Sequence, residues 1–117
     1  MQKIKIWHNE KCTKSRVVLE LLENKSFDIE VISYLENTPS RKEIKDVLNM
    51  SGMNARALMR DTEILFSELN LSNESMSEDE LINVMHDNPI LIQRPVVIKD
   101  DKAVLGRPLE KVIDLIS

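Results

Sequence analysis

Lys3-Ile4-Lys5-Ile6-Trp7-His8-Asn9-Glu10-Lys11-Cys12-Thr13-Lys14-Ser15-Arg16-Val17-Val18 changes its hydrophobic period once, and that change decides the fold. Lys3 to Trp7 alternates polar and apolar residues, the signature of a strand, and the alternation breaks at His8-Asn9. From Thr13 to Asn24 the apolar residues Val17, Val18, Leu21 and Leu22 fall at helical spacing. Asp28 to Tyr34 alternates again, with Ile29, Val31 and Tyr34 among its apolar positions. A strand, a helical link of this length and a second strand predict a parallel pair. Cys12 then falls at the N-terminus of the linking helix.

Downstream, Pro39 and Ser40 open a second helix. Ser40-Arg41-Lys42-Glu43 is a capping box, in which a hydroxyl and a carboxylate satisfy orphan backbone N–H groups. Ile44, Val47 and Leu48 follow on one face, and Ser51-Gly52 ends the run. Asn54 to Arg60 reads as a short helix and Ile64 to Leu69 as a weaker one. Ser77-Glu78-Asp79-Glu80 is a second capping box, leading into Leu81, Val84 and Met85, and Asn88-Pro89 closes that helix. Strands return at Pro95 to Lys99 and Ala103 to Leu105, joined at Asp100-Asp101 tightly enough to require an antiparallel pair. Pro108 suits the first turn of a last helix striped by Leu109, Val112, Ile113 and Ile116. The order is β-α-β, a helical block over about 40–88, then β-β-α. The expectation is an α/β fold in a single domain, residues 1–117.

The chain has 117 residues, enough for one domain with a real core. Aromatics make up only 3%, so Leu, Ile, Val and Met must fill that core, and Met50, Met53 and Met59 are read as filling. A net charge of -4 disfavours nucleic acid or an anionic membrane as a general partner. No stretch approaches the ~20 apolar residues needed to span a bilayer, and the N-terminus lacks the apolar run of a signal peptide. With one cysteine no internal disulfide can form, and a reduced, cytoplasmic compartment is expected. No His, Cys, Asp or Glu cluster has metal-ligand spacing, and two glycines do not make a phosphate loop, so neither a metal nor a bound cofactor is expected.

Cys12 sits among Glu10, Lys11, Thr13, Lys14, Ser15 and Arg16, whereas a core thiol more often has apolar neighbours. A helix N-terminus offers free N–H groups and positive dipole density, which favour the nucleophilic thiolate. His8 lies four residues before it and either lowers the thiol pKa as imidazolium, shuttles a proton, or is a structural strand-end histidine. Ser15 is one helical turn on. Its hydroxyl either donates to Cys12 or is an ordinary first-turn polar group. Cys12-Thr13-Lys14-Ser15 has no second cysteine, so a redox cycle must import its second thiol. Arg60, Arg94 and Arg107 stand at element boundaries, the last two beside Pro95 and Pro108. A planar guanidinium can donate two hydrogen bonds to a tetrahedral oxyanion. Replacing Arg94 or Arg107 is expected to weaken oxyanion binding while leaving Cys12 equally reactive toward disulfides. His86 is read as a surface residue.

Taken in order, these residues resemble the glutaredoxin-coupled arsenate reductase family, ArsC. The resemblance runs through Ile6-Trp7-His8-Asn9, Cys12 and Ser15-Arg16, then Tyr34-Leu35-Glu36-Asn37-Thr38-Pro39-Ser40-Arg41. It continues through Asn54-Ala55-Arg56-Ala57-Leu58-Met59-Arg60, then Asn88-Pro89-Ile90-Leu91-Ile92-Gln93-Arg94-Pro95-Val96-Val97, and ends at Gly106-Arg107-Pro108. It implies a thioredoxin-like fold, a mixed four-stranded sheet with a helical insertion between its βαβ and ββα halves, and a cis proline at Pro95. It also implies that Cys12 forms a covalent thiol–arsenic adduct, that His8 and Ser15 tune the thiolate, and that Arg60, Arg94 and Arg107 hold arsenate. Glutathione as co-substrate would attack the adduct, glutaredoxin would clear the mixed disulfide, and the protein would act as a monomer.

Two other functions compete. Spx regulators share this architecture and bind RNA polymerase, but typically carry a Cys-x-x-Cys switch that Cys12-Thr13-Lys14-Ser15 lacks. A general glutathione-dependent thiol reductase would use Cys12 and be indifferent to Arg60 and Arg107.

Overall fold

The structure is a computed structural model and describes residues 2–117. Its chain divides into two compact units. The first comprises the chain up to Asn37 together with Arg94–Ser117, and the second is Thr38–Gln93.

The first unit is built on β1 (Lys3–His8), α1 (Thr13–Glu23), β2 (Asp28–Ser33), β3 (Val96–Lys99), β4 (Lys102–Leu105) and α6 (Leu109–Ile116). The sheet order is β2-β1-β3-β4. β1 runs parallel to β2, with Ile6 opposite Val31, and antiparallel to β3, with Ile6 opposite Val97. β3 and β4 are antiparallel, with Val97 opposite Val104. This is the expected α/β, thioredoxin-like arrangement: a mixed four-stranded sheet whose βαβ and ββα halves are separated by a helical insertion.

The period-2 alternation of β1 puts Ile4 and Ile6 on one face, where they are fully buried with Val97. Val18 and Leu22 of α1 and Val112 of α6 complete that cluster. Each such side chain contributes about 1.5–3 kcal/mol relative to leaving it in water. In α6 the apolar stripe is rotated from the one expected. Leu109, Leu115 and Ile116 pack on the cluster, while Ile113 stays exposed. Pro108 lies one place earlier than expected, as the N-cap rather than within the first turn.

The second unit holds α2 (Arg41–Ser51), α3 (Ala55–Leu58), α4 (Ile64–Glu68), α5 (Glu78–Asp87) and a 3₁₀ turn, Pro89–Leu91. Both capping boxes form, at Ser40/Glu43 and Ser77/Glu80. Gly52 ends α2 at φ 72, a left-handed position that suits a residue without Cβ. α5 packs on α2 and α3 through buried Leu81, Ile82 and Met85.

The helix expected to reach Arg60 stops at Leu58. Met59 bridges Ile92, and the Arg60 N–H donates to Leu91 O at 2.7 Å, so long-range pairing replaces the next helical bonds. Of the three methionines read as core filling, Met59 is buried and Met50 and Met53 are half-buried. His86 is not a free surface group: it is half-buried, with Nδ1 2.8 Å from Pro39 O. Among the described residues no helix is long and apolar enough to cross a membrane.

Candidate active site

β1 ends at His8, and Asn9 organises the link to α1. Its side chain accepts from Lys11 N at 3.0 Å, its carbonyl accepts from Cys12 N at 3.0 Å, and its own N–H donates to Ser15 Oγ at 3.1 Å. Sequence reading passed over Asn9. The available signal was the Asx-turn habit of an asparagine before a helix start.

This loop leaves Cys12 as the N-cap of α1, in extended conformation and half-buried. No formed side-chain bond caps the helix, and no acidic residue lies in its first turn. The field of the first-turn N–H groups therefore falls on the sulfur. Burial is the largest influence on the thiol and raises its pKa. The backbone N–H of Ser15, the hydrogen bond and charge of Arg94, and the N–H of Lys14 act the other way and together prevail. The net pKa lies below that of an ordinary thiol.

Two arginines converge on the sulfur. Arg107 Nη2 lies 3.5 Å from Cys12 Sγ, and its Nε donates to Arg94 O at 2.8 Å. Arg94 and Arg107 each precede a cis proline, Pro95 and Pro108. Arg94 Nε is buried and has no hydrogen-bond partner among the described residues. Leaving a buried donor unpaired costs about 1–3 kcal/mol, so it marks a donor held free of the protein's own acceptors.

His8 is buried, with Nδ1 2.6 Å from Ser15 Oγ. Burial is the main reason that its pKa is lowered. Glu10 and Glu23 oppose the shift and Arg16 adds to it. Burial thus works against the imidazolium form of His8. Ser15 Oγ accepts from Asn9 N–H and is hydrogen-bonded to His8 Nδ1, the two contacts that hold it in place. Ser15 serves the sulfur through its backbone N–H.

Cys12, Arg94, Arg107, Ser15 and His8 thus form one constellation in the first unit. Arg60 belongs to the second unit, where its Nε lies 3.4 Å from Glu63 Oε1. Among the described residues no three His, Cys, Asp or Glu side chains group to hold a metal ion. Chemically, the constellation is a stabilised thiolate with guanidinium donors around it, suited to attack on an electrophile bearing anionic oxygens.

The model of the ArsC family matches residues 7–115. Arsenate reductase from Neisseria meningitidis serogroup A is 42% identical over 113 residues, 96% of this chain and 97% of that protein. The uncharacterised protein YfgD of Escherichia coli K12 is 45% identical over 117 residues, 99% of this chain and 98% of that one. The structure of arsenate reductase from Vibrio cholerae superposes with a TM-score of 0.93 at 44% identity, covering 97% of each chain.

Proposed function

The chain belongs to the ArsC family, and on that footing we propose that it reduces arsenate to arsenite, with Cys12 as nucleophile and glutathione and glutaredoxin supplying the electrons. The observation that carries this reading is the Cys12 sulfur at the α1 N-terminus with Arg107 Nη2 3.5 Å away and the Arg94 guanidinium lowering its pKa.

In the first step the Cys12 thiolate attacks arsenic. An S–As bond forms, an As–O bond breaks, and the oxygen leaves as water after taking up protons. Arg94 and Arg107 offset the negative charge of the oxyanion, which would otherwise repel a thiolate. Arg60 joins this set on the family resemblance alone.

The only cysteine is already engaged, so the second sulfur comes from outside. A glutathione thiolate forms an S–S bond to Cys12 Sγ and the S–As bond breaks. Its electron pair stays on arsenic, which passes from As(V) to As(III). A further glutathione, through glutaredoxin, cleaves the mixed disulfide and restores the thiolate. Two thiols thus supply the two electrons. This cycle suits a monomer in the reducing cytoplasm.

A coupled assay with arsenate, glutathione and glutaredoxin tests the reading. Arsenite is expected with the complete mixture, and far less when any one component is omitted. No arsenite from the complete mixture would reject it.

A further inference from the structure

Two hollows flank the Cys12 loop in the first unit. One, of about 230 Å³, is lined among others by Thr13, Lys14, Val17, Arg107, Pro108 and Leu109. The other, of about 160 Å³, is lined by His8, Asn9, Glu10, Lys11, Ser33, Leu35 and Glu36. They differ in charge. The first has Lys14 and Arg107 and no acid in its lining, while the second sets Glu10 and Glu36 against Lys11 beside His8, whose charged form burial disfavours. Only the first shares a residue with the thiolate's arginine pair, since Arg107 both lines it and reaches Cys12 Sγ. Beside these and Thr13 its wall is formed by Val17, Val18, Gly106, Pro108 and Leu109, and Val17 is 45% accessible.

We propose that the groove lined by Lys14, Val17, Arg107 and Leu109 seats an anionic low-molecular-weight thiol, holding its carboxylate at Lys14 while its sulfur reaches Cys12. The proposal rests on the two-thiol chemistry above, and it names the path by which the external thiol arrives. Charge selects this side of the loop: a carboxylate is attracted by Lys14 and Arg107 and repelled by Glu10 and Glu36. Volume selects a small thiol or one arm of a larger one, because drug-sized ligands occupy sites of about 300–1,000 Å³. In the reaction, the incoming thiolate forms an S–S bond to Cys12 Sγ, and the group already on that sulfur departs with the bonding pair.

The test needs no arsenate. Cys12 is converted to its mixed disulfide with nitrothiobenzoate, and release of the nitrothiobenzoate thiolate is followed with glutathione or with neutral 2-mercaptoethanol. Wild-type release should saturate with glutathione and stay linear with 2-mercaptoethanol. Lys14→Glu should abolish saturation and slow the glutathione reaction at least tenfold, with 2-mercaptoethanol changing less than twofold. Val17→Glu, at an exposed helix position where Glu is a better helix former, should do the same. The neutral thiol reports any change in the sulfur itself. Linear wild-type kinetics with glutathione, or equal losses with both thiols, overturn the groove. Saturation by glutathione in a protein that makes no arsenite supports the groove and removes the arsenate reading.

Discussion

Ser15 Oγ lies 2.6 Å from His8 Nδ1, and this buried bond fixes the start of α1 under the reactive sulfur. The same oxygen accepts from Asn9 N–H, whose carbonyl in turn accepts from Cys12 N–H. His8 therefore acts on Cys12 through the backbone it braces.

A pH dependence of stability follows. The folded-state pKa of His8 is lowered from 6.5, chiefly by burial, so below about pH 6.5 the unfolded chain binds a proton that the folded chain resists. The stability from neutral His8 is whole above that pH and is lost as pH falls through the folded pKa. The urea midpoint should drop between pH 7.5 and 5. His8→Gln, which keeps a polar partner for Ser15 but cannot titrate, should lose part of that drop. An unchanged pH slope in His8→Gln would remove the assignment.

The thiolate itself is measured by alkylation. The rate with iodoacetamide, plotted against pH, should rise at a midpoint below that of a free thiol. Arg94→Ala removes both a hydrogen bond and a charge from the sulfur, so its midpoint should move upward. Ser15→Ala keeps the N–H that faces the sulfur and should move it less. Coincident profiles for wild type and Arg94→Ala would refute the role of Arg94.

Both arginines bear on the sulfur as well as on the anion, so neither variant should leave Cys12 equally reactive toward disulfides. Arg94 contributes to thiolate stability, so Arg94→Ala should slow both arsenate reduction and reaction with a disulfide. Arg107 places Nη2 3.5 Å from the sulfur, where its charge also favours the thiolate. Arg107→Ala should raise KM for arsenate at least tenfold, since a hydrogen bond to a charged group is worth about 1.5–3 kcal/mol. Its alkylation midpoint should move upward too. A wild-type alkylation profile in Arg107→Ala would contradict this role at the sulfur.

The parts of this site legible in the sequence were those with a local signal. The period change at His8-Asn9 placed Cys12 at a helix start, and both Ser-x-x-Glu boxes formed where they were read. The rest depended on contacts between distant segments. Local spacing carried the helix after Asn54 to Arg60. The Met59–Ile92 bridge ends it earlier, and nothing near Met59 announces that pairing. Ser15 was visible as a polar residue one turn on, but its backbone N–H reaching the sulfur and its hydroxyl bonded to His8, seven residues away, are set by the folded loop. Arg94 and Arg107 were visible as residues beside prolines. Their bond to one another, Arg107 Nε to Arg94 O, closes only when β3 and β4 pair.

Gly106 is the residue on which that closure depends. Its N–H donates to Pro95 O at 2.8 Å, and a Cβ placed there would lie 2.6 Å from Pro95 Cγ and 3.1 Å from Val18 Cγ2. The first distance is well inside van der Waals contact, so the Pro95 ring must shift, and Val18 is part of the buried cluster and offers little room. Overpacking of this kind costs about 1–3 kcal/mol. Gly106→Ala should lower the urea midpoint accordingly. Because Pro95 follows Arg94 directly, displacement of the ring should also carry the arginine away from the sulfur. The folded fraction of Gly106→Ala should then show an alkylation midpoint moved upward in the same direction as Arg94→Ala. A destabilised variant with a wild-type alkylation profile would confine Gly106 to packing, and full stability would show that the ring yields at no cost.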